Sequence, residues 1–470
     1  MKNIGLLLPT LLLTLQLLAI NPVDSFINND LLENASISLL VKDMTNNQTI
    51  YDYRSKTSII PASTLKLVTT ATALELLRPD FCFETKLEID GTISADSILT
   101  GNLFIHGGGD PTLGSNCFEN NEFLDKWVEM VKKAGIKMIK GRVIADASLF
   151  DDEGVNPKWT WEDIGNYYAA GAYGIAYLDN TLRITLRSDI LGYKPEIVKI
   201  TPEIPGLSID NQLLSTNITY DSAYFYGAPH SNNRSIYGEI PAFRTAFIVK
   251  GDIPNPGLLL AQHFNEKLEN AGITISIPPT DNVSVTTKRE LIYTHLSPSL
   301  SEIVTEINIH SNNLYAEHLF KYLALKNNKK ATSNGAIQVV KSFWKSKGLP
   351  VDQLFMYDGS GLSPVNAVSA NFFVDLLLYM NTKSNNKDAF FNSLPVAGES
   401  GTLSSLLKNT PLQGKVHAKS GTISRVKCYA GYVDANDKKY VFALMVNNAN
   451  GNSKAVTKKI EKFLLSTFVK

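Results

Sequence analysis

Residues 60–68 read Ile60-Pro61-Ala62-Ser63-Thr64-Leu65-Lys66-Leu67-Val68, and apolar residues continue to Leu77 at the spacing of a buried helix. Proline is accepted just before a helix or in its first turn, but not in its interior. We therefore expect Ser63 in the opening turn of a buried helix, with Lys66 on the same face one turn later.

This spacing brings an amine towards a hydroxyl. A serine hydroxyl becomes a nucleophile when a base takes its proton, and lysine is a base only when burial or another cation keeps it partly neutral. The first N–H groups of a helix can also bind developing negative charge. We therefore predict a nucleophile, Ser63, a base, Lys66, and one oxyanion donor, the Ser63 N–H. Because Ser-x-x-Lys is a weak signal alone, the prediction depends on partner motifs. The pattern recurs at Ser342, Ser384, Ser405 and Ser424.

The first partner motif is Ser311-Asn312-Asn313, which lies between two predicted helices. We expect Ser311 to relay a proton between Lys66 and a leaving amine. The Asn313 side chain offers a donor and an acceptor, so we expect it to hold an amide of the substrate. A helix N-cap is the alternative interpretation of the same residues.

The second partner motif, Lys419-Ser420-Gly421-Thr422, contains the only Lys-Ser/Thr-Gly in the chain and lies on a predicted strand. A strand edge can dock a peptide, and Gly421 would let it approach closely. We expect Lys419, Ser420 and Thr422 to bind a terminal carboxylate, and the Thr422 N–H to be the second oxyanion donor. The alternative is a plain hairpin strand with an exposed lysine.

The composition of the 470-residue chain excludes some classes of partner. Lysines and arginines number 45, as do the acids, so nothing indicates binding to nucleic acid or to an anionic membrane. The seven histidines show no ligand spacing, so we predict no metal and no cofactor. The sequence does not decide whether Cys82 and Cys117 pair, and it leaves the oligomeric state open.

The N-terminus has the pattern of a signal peptide, with Lys2 before an apolar run from Ile4 to Leu18. We therefore expect residues 1–25 to be a leader whose cleavage site is unplaced. The protein would then be exported, to the periplasm or elsewhere outside the cytoplasmic membrane. An uncleaved anchor is the alternative, because the run approaches the length of a membrane span.

The order of elements predicts an α/β (α+β) fold with one domain built from both ends of the chain. Strands and helices of residues 26–88 and 285–470 form this domain, and residues 89–284 are a β-rich insertion of one or two modules. We divide the insertion into residues 89–160 plus 250–284 and residues 161–249. Six strands are predicted between residues 181 and 249. A linker is predicted at residues 251–257, and mainly helical structure is expected after residue 285.

Further motifs carry a resemblance to a known family. They are Gly107-Gly108-Gly109-Asp110-Pro111-Thr112-Leu113, Asp358-Gly359-Ser360-Gly361-Leu362-Ser363, Gly401-Thr402-Leu403 and Ala418-Lys419-Ser420-Gly421-Thr422. With Ser63 and Lys66, they resemble the D-alanyl-D-alanine carboxypeptidase/endopeptidase family known as DacB or penicillin-binding protein 4, peptidase family S13. Asn312 and Ser420 depart from the usual Asp and Thr, and we expect them to alter rate or preference only.

The resemblance implies a penicilloyl-serine transferase fold, with an antiparallel sheet between helices. It also implies cleavage of peptidoglycan stem peptides ending in D-Ala-D-Ala, or of their crosslinks, and covalent binding of β-lactam antibiotics. Asp146 would bind the amino end of diaminopimelate, or would be a structural surface residue. A β-lactamase, a catalytically silent peptidoglycan-binding scaffold and a transpeptidase are the alternatives.

Overall fold

The computed structural model describes residues 21–118, 122–283, 288–328 and 330–469. Most of the predicted leader, residues 1–20, lies outside the described residues, as does the predicted domain boundary at 284/285. Residues 22–25, also assigned to the leader, belong to a short helix, in which Val23 and Phe26 are buried.

The helices supply most of the layers around the central sheet. The α-helices are α1 Pro22–Ile27, α2 Lys66–Leu77, α3 Phe123–Lys133, α4 Pro256–Asn270, α5 Leu300–His310, α6 Asn313–Leu323, α7 Ser333–Ser346, α8 Ala370–Thr382, α9 Lys387–Asn392 and α10 Ser453–Phe468. Short 3-10 helices occur at Ala62–Leu65, Tyr167–Ala169, Leu178–Asn180, Ala324–Lys326, Val351–Gln353 and Gly401–Leu403.

The strands form a central sheet and several smaller ones. In chain order they are β1 Ser36–Asp43, β2 Thr49–Tyr53, β3 Ser58–Ile59, β4 Glu84–Ile89, β5 Thr92–Ile93, β6 Ile98–Thr100, β7 Leu103–His106, β8 Met138–Ile139, β9 Val143–Asp146, β10 Thr181–Ser188, β11 Glu196–Thr201, β12 Ser208–Thr216, β13 Tyr224–Tyr226, β14 Asn233–Pro241, β15 Arg244–Asp252, β16 Thr274–Ile275, β17 Glu290–Leu296, β18 Leu354–Phe355, β19 Ala367–Ser369, β20 Val416–Ile423, β21 Val426–Ala435 and β22 Lys438–Asn447.

The central sheet is antiparallel, with the order β2-β1-β22-β21-β20. Successive side chains of a strand point to opposite faces, and both faces of this sheet are apolar. Tyr432 and Ala443 pack with helices that include α2, α6 and α8, whereas Phe442 and Leu444 pack with α1 and α10. The predicted fold, an antiparallel sheet between helices, is therefore confirmed.

A second apolar core lies under the strands of the predicted insertion, together with α3 and α4. It is covered by four small sheets, of orders β17-β4-β7-β9, β16-β8-β6-β5, β11-β10-β15 and β12-β14-β13. The six strands predicted between residues 181 and 249 are all present. Leu87 of β4 packs in this core, so the predicted boundary at 88/89 falls inside a paired strand. The division into modules remains a prediction.

Two predictions about secondary structure were wrong. The predicted linker at 251–257 is structured, because β15 runs to Asp252, whose carboxylate is paired with the buried Arg234, and α4 begins at Pro256. The start of the region after residue 285 is not helical. Half-exposed side chains of Glu290–Leu296 instead form β17, which pairs with β4.

The described part of the chain contains no helix that is both long and apolar enough to cross a membrane. Cys82 and Cys117 are free thiols, which answers the question of pairing that the sequence left open.

Candidate active site

Ser63 lies in the tight turn Ala62–Leu65, which leads directly into α2. The predicted opening turn is therefore present, with 3-10 rather than α geometry. Ala62, just before Ser63, has a φ of 47°, which is uncommon for a residue with a Cβ. A Cβ on Gly361 would lie 2.0 Å from the Ala62 carbonyl oxygen. The loop at Gly361 thus packs closely against the turn that presents the serine.

Lys66 makes three contacts with its Nζ atom. Nζ lies 3.1 Å from Ser63 Oγ, 2.6 Å from Asn313 Oδ1 and 2.7 Å from the Ser360 carbonyl oxygen. The Asn313 side-chain amide donates to the Tyr168 carbonyl at 2.8 Å, which fixes Oδ1 towards the lysine. Two of the three partners can only accept, so a neutral amine would donate both hydrogens to them and turn its lone pair to the Ser63 hydroxyl.

The surroundings of Lys66 favour this neutral form. The side chain is 0 % exposed, and burial lowers its pKa to about 7, although Asp358 and Glu317 act to raise it. Neither carboxylate forms an ion pair with Lys66 in the described structure. Burial also raises the pKa of Glu317 above its usual value, which favours the uncharged form of its carboxyl group.

Ser311 and Lys419 form the other half of the site. Ser311 follows α5 with a φ of 61°, and its Oγ accepts a hydrogen bond from Lys419 Nζ at 2.9 Å. Lys419 is also 0 % exposed, and its pKa is lowered by burial and by the charge of Lys66. Asn312 is the N-cap of α6, since its side chain accepts the Tyr315 N–H. The N-cap interpretation therefore applies to the middle residue of the motif.

The Lys-Ser-Gly-Thr segment lies within β20, at the edge of the central sheet. A Cβ on Gly421 would lie 2.6 Å from the Pro61 carbonyl oxygen and 3.0 Å from the Ser63 nitrogen. Only glycine therefore lets the strand lie against the nucleophile turn. Ser420 Oγ is 2.8 Å from Thr402 Oγ1, and Thr422 Oγ1 accepts from a neighbouring lysine of β21.

The loop of residues 358–363 supports Lys66, a role that could not be predicted from its motif. The Asp358 carboxylate accepts the N–H groups of Gly361 and Ser363, and Glu317 accepts those of Gly359 and Ser360. These bonds aim the Ser360 carbonyl at Lys66. The motif was visible in the sequence, but a contact made by a main-chain carbonyl leaves no side-chain pattern to read.

Asp146 is not brought together with the other predicted site residues. It is 2 % exposed at the end of β9, where its Oδ2 lies 2.6 Å from Arg289 Nη1 and 3.3 Å from His106 Nδ1. Burial acts to raise the pKa of Asp146, but hydrogen bonds from His106, Ser148 and Arg289 outweigh it and hold the pKa well below its usual range. The alternative of a surface aspartate is wrong. The predicted diaminopimelate contact would have to compete with Arg289.

The described residues contain no cluster of three or more His, Cys, Asp or Glu side chains arranged to hold a metal. Of the predicted residues, Ser63, Lys66, Ser311, Asn313, Lys419, Ser420, Gly421 and Thr422 come together through the contacts given above.

Comparison with known proteins gives relatives along nearly the whole chain. A D-alanyl-D-alanine carboxypeptidase of Actinomadura sp. (strain R39) is 28% identical over 447 residues, covering 91% of this chain and 81% of the relative. D-alanyl-D-alanine carboxypeptidase DacB of Haemophilus influenzae is 27% identical over 439 residues, covering 91% and 88%.

Solved structures show the same fold. The crystal structure of penicillin-binding protein 4 (dacB) from Haemophilus influenzae has a TM-score of 0.81 at 24% identity and covers 95% of this chain and 98% of its own. The same protein has also been solved in complex with a β-lactam. A predatory peptidoglycan endopeptidase from Bdellovibrio bacteriovorus has a TM-score of 0.50 at 16% identity and covers 92% of each chain.

The family model described as the D-Ala-D-Ala carboxypeptidase 3 (S13) family matches residues 19–467. This match confirms the resemblance drawn from the motifs. The chain therefore belongs to the D-Ala-D-Ala carboxypeptidase 3 (S13) family of serine peptidases.

Proposed function

We propose that Ser63 is the residue acylated by peptides ending in D-alanyl-D-alanine, and that Lys66 is the base. The observation that carries this is the set of three contacts around Lys66 Nζ, in which only Ser63 Oγ can give a proton. With a pKa of about 7, Lys66 is neutral in a useful fraction of molecules at neutral pH.

Acylation then proceeds by attack on the carbonyl carbon of the penultimate D-alanine. Ser63 Oγ bonds to this carbon as its proton moves to Lys66, and the N–H groups of Ser63 and Thr422 hold the oxyanion. The C–N bond breaks, and the proton that Lys66 took from Ser63 passes to the leaving amine through Ser311, which is hydrogen-bonded to Lys419. Water later cleaves the acyl-enzyme. A β-lactam acylates Ser63 in the same way, by opening of its ring amide.

The substrate would lie along the edge of β20 beyond Ala418, because residues 416–418 are already bonded to residues 395–397. Its terminal carboxylate is bound by Lys419, Ser420 and Thr422, the neighbours of Gly421, which packs against the nucleophile turn. Asn313 holds a backbone amide of the acyl half. Burial and Lys66 lower the pKa of Lys419, and a bound carboxylate would raise it again by stabilising the charged amine.

The proposed substrates are peptidoglycan stem peptides and their D-alanyl crosslinks, on which the protein would act outside the cytoplasmic membrane. The predicted leader and the names of the relatives support this assignment. The endopeptidase from Bdellovibrio, which shares the fold, is the reason for including crosslinks.

The test is labelling with a fluorescent penicillin, together with D-alanine release from a stem pentapeptide. We expect one label per chain, and we expect Ser63→Ala to abolish both label and release. The matched control is Ser342→Ala, which removes an exposed serine from another Ser-x-x-Lys and should change neither. Labelling of the Ser63→Ala protein would refute the assignment.

Two further measurements separate the alternatives. A chromogenic cephalosporin should be consumed in stoichiometric amount, whereas sustained turnover would indicate a β-lactamase. Digestion of crosslinked muropeptides followed by mass spectrometry should give cleaved monomers, whereas new crosslinks would indicate a transpeptidase.

A further inference from the structure

A cavity of about 470 Å³ opens beside the nucleophile site. Ser311 and Asn313 line one end of it, and Arg183 of β10 and Lys250 of β15 line another part of its wall. The cavity thus joins two site residues to strands of the β-rich region, which also orients Asn313 through the Tyr168 carbonyl.

The two cations occupy matched positions. Arg183 and Lys250 are directly opposite each other in the antiparallel pairing of β10 with β15. Residues opposite each other project from the same face, with Cβ atoms about 5 Å apart, and like charges so placed destabilise the sheet. Of the two adjacent pairs on that face, Thr185 and Ile248 are uncharged. In the other pair, Asp252 lies opposite Thr181, but both oxygens of its carboxylate are bonded to Arg234.

Neither cation has an acidic partner. Within the residues that the structure describes, the side chains of Arg183 and Lys250 form no hydrogen bond and no ion pair. Lys250 Nζ lies 5.4 Å from the centre of the Tyr167 ring, a neutral contact that leaves its charge uncompensated. Asp221 is near enough to feel the Lys250 charge, but its carboxylate accepts the Ala223 N–H at 2.8 Å.

The acids that line the same cavity are already engaged. Asp179 Oδ1 accepts the Tyr315 hydroxyl at 3.0 Å. Glu306 lies 3.4 Å from the Cys117 thiol and 3.8 Å from His310. Both acids thus accept hydrogen bonds from the protein, whereas the side chains of Arg183 and Lys250 have no such partner among the described residues.

The direction of the proposed substrate indicates which anion this is. In the proposed binding mode the terminal carboxylate lies at Lys419 and Thr422, and Asn313, which holds an amide of the acyl half, lines the cavity. We propose that Arg183 and Lys250 form a subsite for a carboxylate on the acyl half of the substrate, upstream of the attacked D-alanine. This inference rests on the proposed function. Arg183 supplies a planar fork for a carboxylate, and Lys250 supplies a point charge.

The test compares two peptides that end in D-alanyl-D-alanine, one with free carboxylates on its upstream acidic residues and one with these converted to amides. We expect kcat/KM to favour the free acid by about tenfold in the unaltered protein, the size expected for one charge-assisted contact. Arg183→Gln and Lys250→Gln should each lose most of this preference, mainly through KM. Arg183→Lys should keep part of it, and added salt should weaken it.

Two controls keep the test specific. Lys199→Gln removes an exposed cation from neighbouring β11, outside the cavity wall, and should leave the preference unchanged. Acylation by a penicillin with an uncharged side chain should be unaltered in every variant, which also shows that the variants are folded. Equal kcat/KM for the two peptides, or full preference in the double glutamine variant, would overturn the subsite. Failure of penicillin to acylate Ser63 would instead overturn the proposed function.

Discussion

Lys66 and Asp146 are both buried ionisable groups, 0 % and 2 % exposed, but the protein treats them in opposite ways. Asp146 has Arg289 and His106 against its carboxylate, so its pKa is held well below the usual range. Lys66 has only neutral oxygens in contact, so burial lowers its pKa to about 7. A paired group keeps its charge, whereas an unpaired one can exchange a proton. This difference separates a structural ion from a catalytic base.

Lys66→Met tests this contrast and is the variant with the largest expected effect. Removal of the base should lower the rate of penicillin acylation by about a thousandfold, within the range for general base catalysis. The free energy of unfolding should fall less than on loss of an ion pair, because no counter-charge loses its partner and only the Asn313 and Ser360 oxygens lose a donor. The measurement is the second-order acylation rate, with urea unfolding beside it.

Lys321→Met is the control for that variant, since Lys321 is a buried lysine whose amine is bonded to Asp151. It should lower the free energy of unfolding and leave the acylation rate of the folded protein near its original value. The contrast fails if the two lysine variants behave alike.

A second test moves the backbone next to Ser63. Gly421→Ala places a methyl group 2.6 Å from the Pro61 carbonyl oxygen, so β20 must shift away from the nucleophile turn. A displacement of this size can cost about a hundredfold in rate, which penicillin acylation would measure. Its match in the Asp146 region is Gly257→Ala, whose added Cβ would meet nothing closer than 3.7 Å. Equal rates in the two alanine variants would show that the close approach has no importance.

The Asp146 side of the comparison is tested by Asp146→Asn. Loss of the charge-assisted bonds should lower the free energy of unfolding by about 2 kcal/mol, measured in urea, without changing penicillin acylation. The substrate role predicted from the resemblance gives another outcome. If kcat/KM falls only for peptides that carry diaminopimelate, and stability is unchanged, Asp146 serves the substrate and not the fold.

The smallest expected effect concerns pH. Lys66 must be neutral to act, so the acylation rate should rise with pH, bend near pH 7 and level off above it. The negative charge of Glu317 raises the pKa of Lys66, so Glu317→Gln should move this rise to lower pH. The glutamine carbonyl can still accept the N–H groups of Gly359 and Ser360. If the acylation rate of the Glu317→Gln variant rises at the same pH as that of the unaltered protein, or at a higher pH, the proposed role of Lys66 is contradicted.

The core of the site could be predicted because its signals are local. Ser63 and Lys66 share one face of a helical turn, and Lys419 belongs to a short motif on a strand. The Ser360 carbonyl reaches Lys66 across 294 positions in the chain, through the main chain alone. The pairing of Arg289 with Asp146, which are 143 positions apart, could not be predicted from the sequence either. Contacts of that kind depend on the whole fold.

Secondary structure was predictable where burial imposes a period. Residues 453–468 belong to the region that was expected to be mainly helical, and they form α10. The errors fell where composition and burial disagree. Prolines and glycines at residues 251–257 resemble a linker, but Asn255 caps α4 there and Asp252 is paired. The half-exposed β17 carries too little apolar periodicity to be seen, and only its pairing with β4 defines it.

The strand order of the central sheet has a consequence for synthesis of the chain. β1 leaves the ribosome early, but one of its two neighbours in the sheet is β22, the last strand. Gly421, which packs against the Ser63 turn, is also made late. The nucleophile and its base are therefore translated long before the strands that shape their surroundings. A nascent chain that ends before β22 contains Ser63 but has no assembled active site.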